Sequence, residues 1–314
     1  MLIPLSWLKE FVEIKLPVEK LAEKLSAAGL TVEKWSASDG GEIILDSEIT
    51  PNRPDWMSVI GVAREASAVL NLKFEIRNLK SNLKKSNTQK IKFNIDYQLC
   101  PRFTAVIIKN VTVKQSPELI KERLKKVGLR PINNLVDATN YVMWETGNPL
   151  HVFDLDKIRG NQMTLSLSKG GESFKSLDGL NYTLPAGAII IKDLGRVIDL
   201  CGIKGGENSA VSAETKNILL VVPIYNGTVV RKTSQALGLR SEASAIFERG
   251  ADAGNTISTL LKAAEIIGGK PEDIIDLKNK EFEPWVVEVK HQKIEDVLGI
   301  KIEPKKVTEI FESL

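Results

Sequence analysis

Three clusters of residues in this 314-residue chain could do chemistry. Cys201-Gly202-Ile203-Lys204-Gly205-Gly206-Glu207-Asn208 is glycine-rich and follows an apolar stretch. Such a run either turns the chain tightly between strands or presents backbone N–H groups to an anion or carbonyl. Thr139-Asn140 with His151 is the second cluster. A hydroxyl and an amide there suit a ribose hydroxyl or a positioned water. Gly147-Asn148-Pro149-Leu150-His151 places the imidazole on a loop, where functional residues concentrate, and a packed structural histidine is the competing reading. The third cluster is Ser241-Glu242-Ala243-Ser244, flanked by Arg240 and Arg249, which reads equally as a capped helix.

The usual catalytic signatures are missing: there is no Walker A loop, G-x-G-x-x-G, H-E-x-x-H or G-x-S-x-G. Two histidines, His151 and His291, and two cysteines, Cys100 and Cys201, cannot assemble the common zinc or di-iron ligand sets. Met1 to Glu10 lacks a basic n-region, so no signal peptide is expected, and the cysteines are expected to stay reduced in a cytosolic protein. A net charge of +3 does not by itself announce a nucleic-acid binder. Hydrophobic residues at 43%, charged residues at 26% and a mean hydropathy of −0.08 describe a soluble globular chain. No apolar run reaches the ~18 residues a membrane helix needs. The length predicts two or three domains.

These clusters need elements to hold them. Trp7, Leu8, Phe11 and Val12 recur at helical spacing, and Pro17 opens a second helix carrying Leu21 and Leu25. Ser36 to Gly41 is a turn, Ile43 begins a strand, and Asp55 is placed to cap a helix bearing Met57, Ile60, Ala63 and Val69. Residues 71–92 read as a basic linker. Strands are predicted at Phe103–Ile108, Met163–Leu167, Ala188–Lys192 and Ile218–Val222. Ser116-Pro117-Glu118 starts a helix that Gly128 stops, and a long helix at Thr256–Ile267 ends at Gly268-Gly269. A weak internal repeat appears at a shift of 286, which lays Leu8, Phe11, Val12, Leu21 and Leu25 on Ile294, Val297, Leu298, Val307 and Phe311. The pattern in both copies is helix, short strand, helix. The second copy stops inside a helix, so the chain is expected to be a fragment of something longer.

Glu48-Ile49-Thr50-Pro51-Asn52-Arg53-Pro54-Asp55 with Gly61-Val62-Ala63-Arg64-Glu65 is one specific motif. Arg130 to Val142, His151-Val152-Phe153-Asp154, and Ala243-Ser244 through Phe247-Glu248-Arg249-Gly250 are others. Together, in this order, they resemble the β subunit of bacterial phenylalanyl-tRNA synthetase. The resemblance implies an α+β, multidomain chain. Residues 1–83 match a small α/β N-terminal domain, without the oligonucleotide-binding barrel that usually stands near 36–42. Residues 90–275 match a larger α/β editing domain, which hydrolyses tyrosine wrongly attached to tRNA(Phe). Residues 283–314 match the incomplete start of a domain similar to the first.

The resemblance also implies partners and a site. Aminoacylation belongs to an α subunit partner and uses ATP and magnesium in the complete synthetase. No cofactor or metal is expected in this fragment, no membrane, and a cytoplasmic location. Thr139, Asn140 and His151 fall on pocket positions near the terminal ribose and ester. Gly202 and Gly205 let substrate approach the backbone, while Ser241 and Ala243 line the amino-acid pocket. Lys80, Lys84 and Lys85 are weak tRNA contacts, and no residue is assigned as general base. Ser241 stands where threonine is common, and Cys201 where glycine is common. Val221 stands where the family commonly has a glutamate reading tyrosine's para-hydroxyl. Valine offers no acceptor, so either editing is weakened and a binding scaffold remains, or Glu207, Ser209 or a water takes over.

Overall fold

The computed structural model describes residues 1–38, 40–76, 83, 90–281 and 283–314. Its first elements are β1 (Leu2–Pro4), α1 (Leu5–Leu8), α2 (Val18–Ala27), β2 (Val32–Ala37), β3 (Ile43–Ser47) and α3 (Val59–Leu70). The strands form an antiparallel sheet in the order β1-β3-β2. Residues 36–42 are the tip of the β2–β3 hairpin, closed by Ser38 N–H donating to Glu42 O (2.8 Å). The helix expected through Val12 stops at Leu8. Phe11 and Val12 are buried all the same, from irregular backbone, with Val12 bridging to Phe74. Their burial is tertiary and needs no continuing helix.

The cap expected at Asp55 also moves. Asp55 sits in a 3-10 turn, Pro54–Trp56, and its carboxylate pairs with Arg53. Met57 closes that turn, so it is not helical as expected. Ser58 caps α3 instead, its hydroxyl accepting from Gly61 N–H at 2.9 Å. Ser58→Ala is therefore expected to lower stability by about 1 kcal/mol, read as a lower urea midpoint with unchanged slope. An unchanged midpoint would show that the cap contributes nothing.

The larger part of the chain holds β4 (Lys92–Ile95), β5 (Arg102–Lys109), α4 (Glu118–Lys126), α5 (Asn134–Thr146), β6 (His151–Asp154) and β7 (Gln162–Lys169). It continues through β8 (Ser173–Lys175), β9 (Asn181–Thr183), β10 (Ala186–Asp193), β11 (Arg196–Leu200), β12 (Lys204–Gly205) and β13 (Asn217–Ile224). Then come α6 (Gly227–Leu237), α7 (Glu242–Arg249), α8 (Thr256–Ile267), β14 (Lys270–Pro271) and β15 (Ile275–Lys278). One sheet runs β12-β11-β10-β7-β4 and another β14-β5-β13-β6, with β15 also on β5. Ser116 does not cap α4 as expected: the helix begins after Pro117, and the Ser116 hydroxyl donates to buried Asp137 (2.5 Å).

Alternation along β5 and β13 places the two cores. Phe103, Ala105, Ile107, Leu219 and Val221 face the other sheet and pack with Leu165, Ile189, Ile191 and Ile198. Val106, Ile108, Ile218, Leu220 and Val222 face the opposite way, onto α4, α5 and α8. Buried on both faces, these strands read as unbroken apolar runs. The second core continues without a break into Trp7, Leu21, Leu25 and Val62 of the first elements. Trp7 stacks on Tyr141 at 4.6 Å and donates to Glu145 (3.0 Å), which also pairs with Lys262.

α9 (His291–Leu298) and α10 (Pro304–Ser313) complete the described elements. Both begin 286 residues after α1 and α2, the offset of the internal repeat. The strand expected between the helices is absent from both copies, where residues 13–17 and 299–303 are irregular.

Candidate functional site

Where β6, the β11–β12 turn, the end of β13 and α7 meet, a cavity of about 70 Å³ opens. His151 starts β6 opposite Val221, held edge-on against Phe153 at 4.4 Å. Burial pushes its pKa down to about 4, so the imidazole is neutral near pH 7 and offers one donor and one acceptor. Gly205 pairs with Asp199 across the β11–β12 ladder. A Cβ on Gly205 would stand 2.4 Å from the His151 Cε1, so the ring needs glycine there. Gly202 has φ +75°, and a Cβ on it would meet Phe247 at 2.9 Å. The glycine-rich run is thus a tight turn, closed by Ile203 N–H donating to Leu200 O (3.0 Å), and it is also a wall of the cavity.

Ala243 and Phe247 of α7 form another wall, with Tyr225 tilted on Phe247 at 5.0 Å. Ser241 and Ser244 make a reciprocal capping box that starts this helix, as the capped-helix reading has it. Among the lining residues that sequence reasoning missed, the one with ionisable chemistry of its own inside an apolar strand is Asp199. Its side chain is 4% exposed and accepts a hydrogen bond from the Cys201 thiol. Burial pushes its pKa up to about 7. The signal was an acid inside the apolar strand Val197-Ile198-Asp199-Leu200, directly before the glycine run.

The cavity thus joins His151, Gly202, Gly205 and Ala243. Thr139 and Asn140 lie on α5 outside its lining, and the Thr139 hydroxyl donates to Val136 O at 2.7 Å. Val221 is wholly buried between the sheets, and Ser241, two residues before Ala243, is outside the lining. Glu207 pairs with Lys175 (2.8 Å), and the Ser209 hydroxyl donates to Ile198 O (3.0 Å), so neither reaches the cavity. Lys80, Lys84 and Lys85 lie outside the described residues.

Two larger clefts flank this one. A cleft of about 770 Å³ between α3 and the start of α8 is bigger; there Asp55 pairs with Arg53 and Lys262 with Glu145, Arg64 lies over the Phe74 ring at 5.8 Å, and Asp252 accepts from Gly254 N–H (2.7 Å). On the far side of α7, Arg231, Arg240 and Arg249 line a cleft of about 520 Å³ that contains one acid, Glu248. Among the described residues, no three histidine, cysteine or acidic side chains converge as metal ligands, and no helix is long and apolar enough to cross a membrane.

Two facing sheets with a glycine-backed cavity at one end, holding a neutral imidazole and a desolvated carboxyl, define an α+β module. The chain belongs to the B3/4 domain family, whose model matches residues 99–268. It is 37% identical over 294 residues to the phenylalanine–tRNA ligase beta subunit of Carboxydothermus hydrogenoformans, covering 91% of this chain and 36% of that protein. It is 40% identical over 270 residues to the subunit of the same name from Thermotoga maritima, covering 83% of this chain and 34% of that one. The chain thus spans about a third of the length of these curated relatives. The resemblance drawn from the motifs is shown by these matches. A solved N-terminal fragment of the Pyrococcus horikoshii phenylalanyl-tRNA synthetase beta subunit covers 100% of this chain and 88% of its own, with 16% identity and a TM-score of 0.48.

Proposed function

We propose that this chain is the editing part of a phenylalanine–tRNA ligase β subunit, and that the cavity beside His151 hydrolyses a mischarged aminoacyl-tRNA ester. The observation that carries the reading is the meeting of His151, Asp199 and two glycine backbones at one apolar cavity. The glycines let the ester approach the main chain, where N–H groups can meet the developing oxyanion. The neutral imidazole hydrogen-bonds the ribose or the attacking water without placing a cation in the pocket. Water adds to the carbonyl carbon, the ester C–O bond breaks, and the proton passes to the leaving ribose oxygen. The neighbouring ribose hydroxyl assists that transfer, and no residue is assigned as general base.

The arginine-lined cleft lies one helix away and suits the phosphates of the tRNA acceptor strand. Residues 1–83 are proposed as a small N-terminal domain that shares its core with the editing domain at 90–275, and 283–314 as part of a domain like the first. Aminoacylation, with its ATP and magnesium, is assigned to the α subunit partner in the cytoplasm, and no step here runs through either group.

The test is deacylation of tyrosyl- and phenylalanyl-tRNA(Phe) by the purified chain, beside an aminoacylation assay with ATP and phenylalanine. Release of tyrosine without formation of phenylalanyl-tRNA is expected. Release of neither amino acid would leave a binding scaffold, and formation of phenylalanyl-tRNA would overturn the division of labour.

A further inference from the structure

Apart from His151, Lys204 and Tyr225, whose hydroxyl is engaged with the Cys201 thiol, the side chains that line the cavity around Asp199 are apolar: Pro149, Leu150, Ile203, Pro223, Ala243 and Phe247. Into this surround one carboxyl is introduced, that of Asp199. No cation stands beside it among the described groups that act on it, and Lys204, also on the cavity, pairs with Asp178. Its one neighbouring donor is the Cys201 thiol, a weak one. With two oxygens and one weak side-chain donor, the carboxyl has acceptor capacity to offer a ligand. Val221, facing the inter-sheet core, offers none.

We propose that Asp199 determines the specificity of this pocket, selecting an aminoacyl group whose side chain ends in a hydroxyl over its hydrocarbon analogue. The inference rests on the reading of the cavity as an aminoacyl-ester site. A hydroxyl pairs with the carboxyl in either protonation state, whereas a hydrocarbon of the same shape leaves that buried group unpaired. A site built this way can reject the analogue lacking the hydroxyl by as much as ~10⁴-fold, because the site's own polar group is what suffers. Gly205, paired with Asp199 across the β11–β12 ladder, keeps the carboxyl within a strand's width of His151.

The experiment compares kcat/KM for tyrosyl- and phenylalanyl-tRNA(Phe) in the native chain, Asp199→Asn and Asp199→Ala, with circular dichroism as the check on folding. The native chain is expected to favour the tyrosyl ester by at least ~100-fold. Asp199→Ala should bring the ratio to within ~10-fold of unity, while Asp199→Asn, which keeps an acceptor oxygen, retains part of it. An unchanged ratio, or equal slowing of both esters, overturns the inference while leaving the hydrolytic reading in place. Should the native chain hydrolyse neither ester, the hydrolytic reading fails, and calorimetry with the amide analogues 3′-tyrosylamino- and 3′-phenylalanylamino-adenosine decides selection separately. Preference for the tyrosyl analogue that Asp199→Ala abolishes upholds it; equal binding or no binding overturns it.

Discussion

Gly61→Ala is expected to leave the protein largely unfolded at 37 °C. Gly61 lies in the first turn of α3, and a Cβ there would stand 1.7 Å from the Asp55 carbonyl oxygen and 2.9 Å from Ser58 Oγ. The first obstacle is backbone, so no side-chain rotation relieves the clash. Moving it displaces the turn Pro54–Trp56, in which Trp56 is 2% exposed, donates to Glu65 (3.0 Å) and lies 3.6 Å beneath the Arg53 guanidinium. Overpacking usually costs ~1–3 kcal/mol, and a backbone collision with a buried tryptophan turn should exceed ~4. Against a typical total of about 5–15 kcal/mol, that is decisive. Gly238→Ala is the control: φ is +62° but open space surrounds the position, so a loss of about 1 kcal/mol is expected. Urea unfolding of both variants checks the contrast, and equal midpoints would contradict it.

Stability should also show a cancellation between two groups of the pocket. Asp199 keeps its proton to about pH 7 when folded but loses it near 3.8 when unfolded. Its contribution therefore falls as pH rises from about 4 to 7, by roughly 4 kcal/mol. His151 takes a proton only below about pH 4 when folded, but near 6.5 when unfolded. Its contribution falls as pH drops from 6.5 to 4, by roughly 3 kcal/mol. Between those limits the folded state holds one proton on Asp199 and the unfolded state holds one on His151, so the two slopes oppose. Cys201 and Tyr225 stay neutral throughout, since burial pushes both upward, and Lys204 stays paired with Asp178. Asp199→Asn should gain stability relative to the native chain as pH rises, and His151→Gln should gain as pH falls. Urea titrations at half-unit steps from pH 4.5 to 7.5 measure both. Parallel curves for all three proteins would show that neither group is buried in the required form.

Elements with strong local signals were legible in the sequence. α8 runs Thr256–Ile267 as its apolar period and Gly268 require, and β5 and β13 announce themselves as apolar runs because both faces are covered. Phe11 and Val12 misled because burial alone imitates helical spacing. The Ser58 cap was hidden by Asp55, a better-looking acid three residues too early for α3. In the pocket, Gly202 and Gly205 were readable as a turn, since glycine spacing is local. Asp199 was not, because what makes it unusual is the closing of the second sheet and α7 over it, and no window of sequence contains both.

The helix pair that occurs twice at one offset divides the molecule by how readily its parts open. α1 and α2 are sealed into a core that runs without interruption from Ile3 through Val62 to Ile267, so no seam lets the first seventy residues come away alone. α9 and α10 leave Val297 70% and Phe311 66% exposed. Opening them releases little buried apolar surface, and amide exchange there proceeds by local fraying. In α2 the same exchange must wait for the strands behind His151 to separate. One helical pattern thus reports two opening free energies, the upper one shared with the pocket itself.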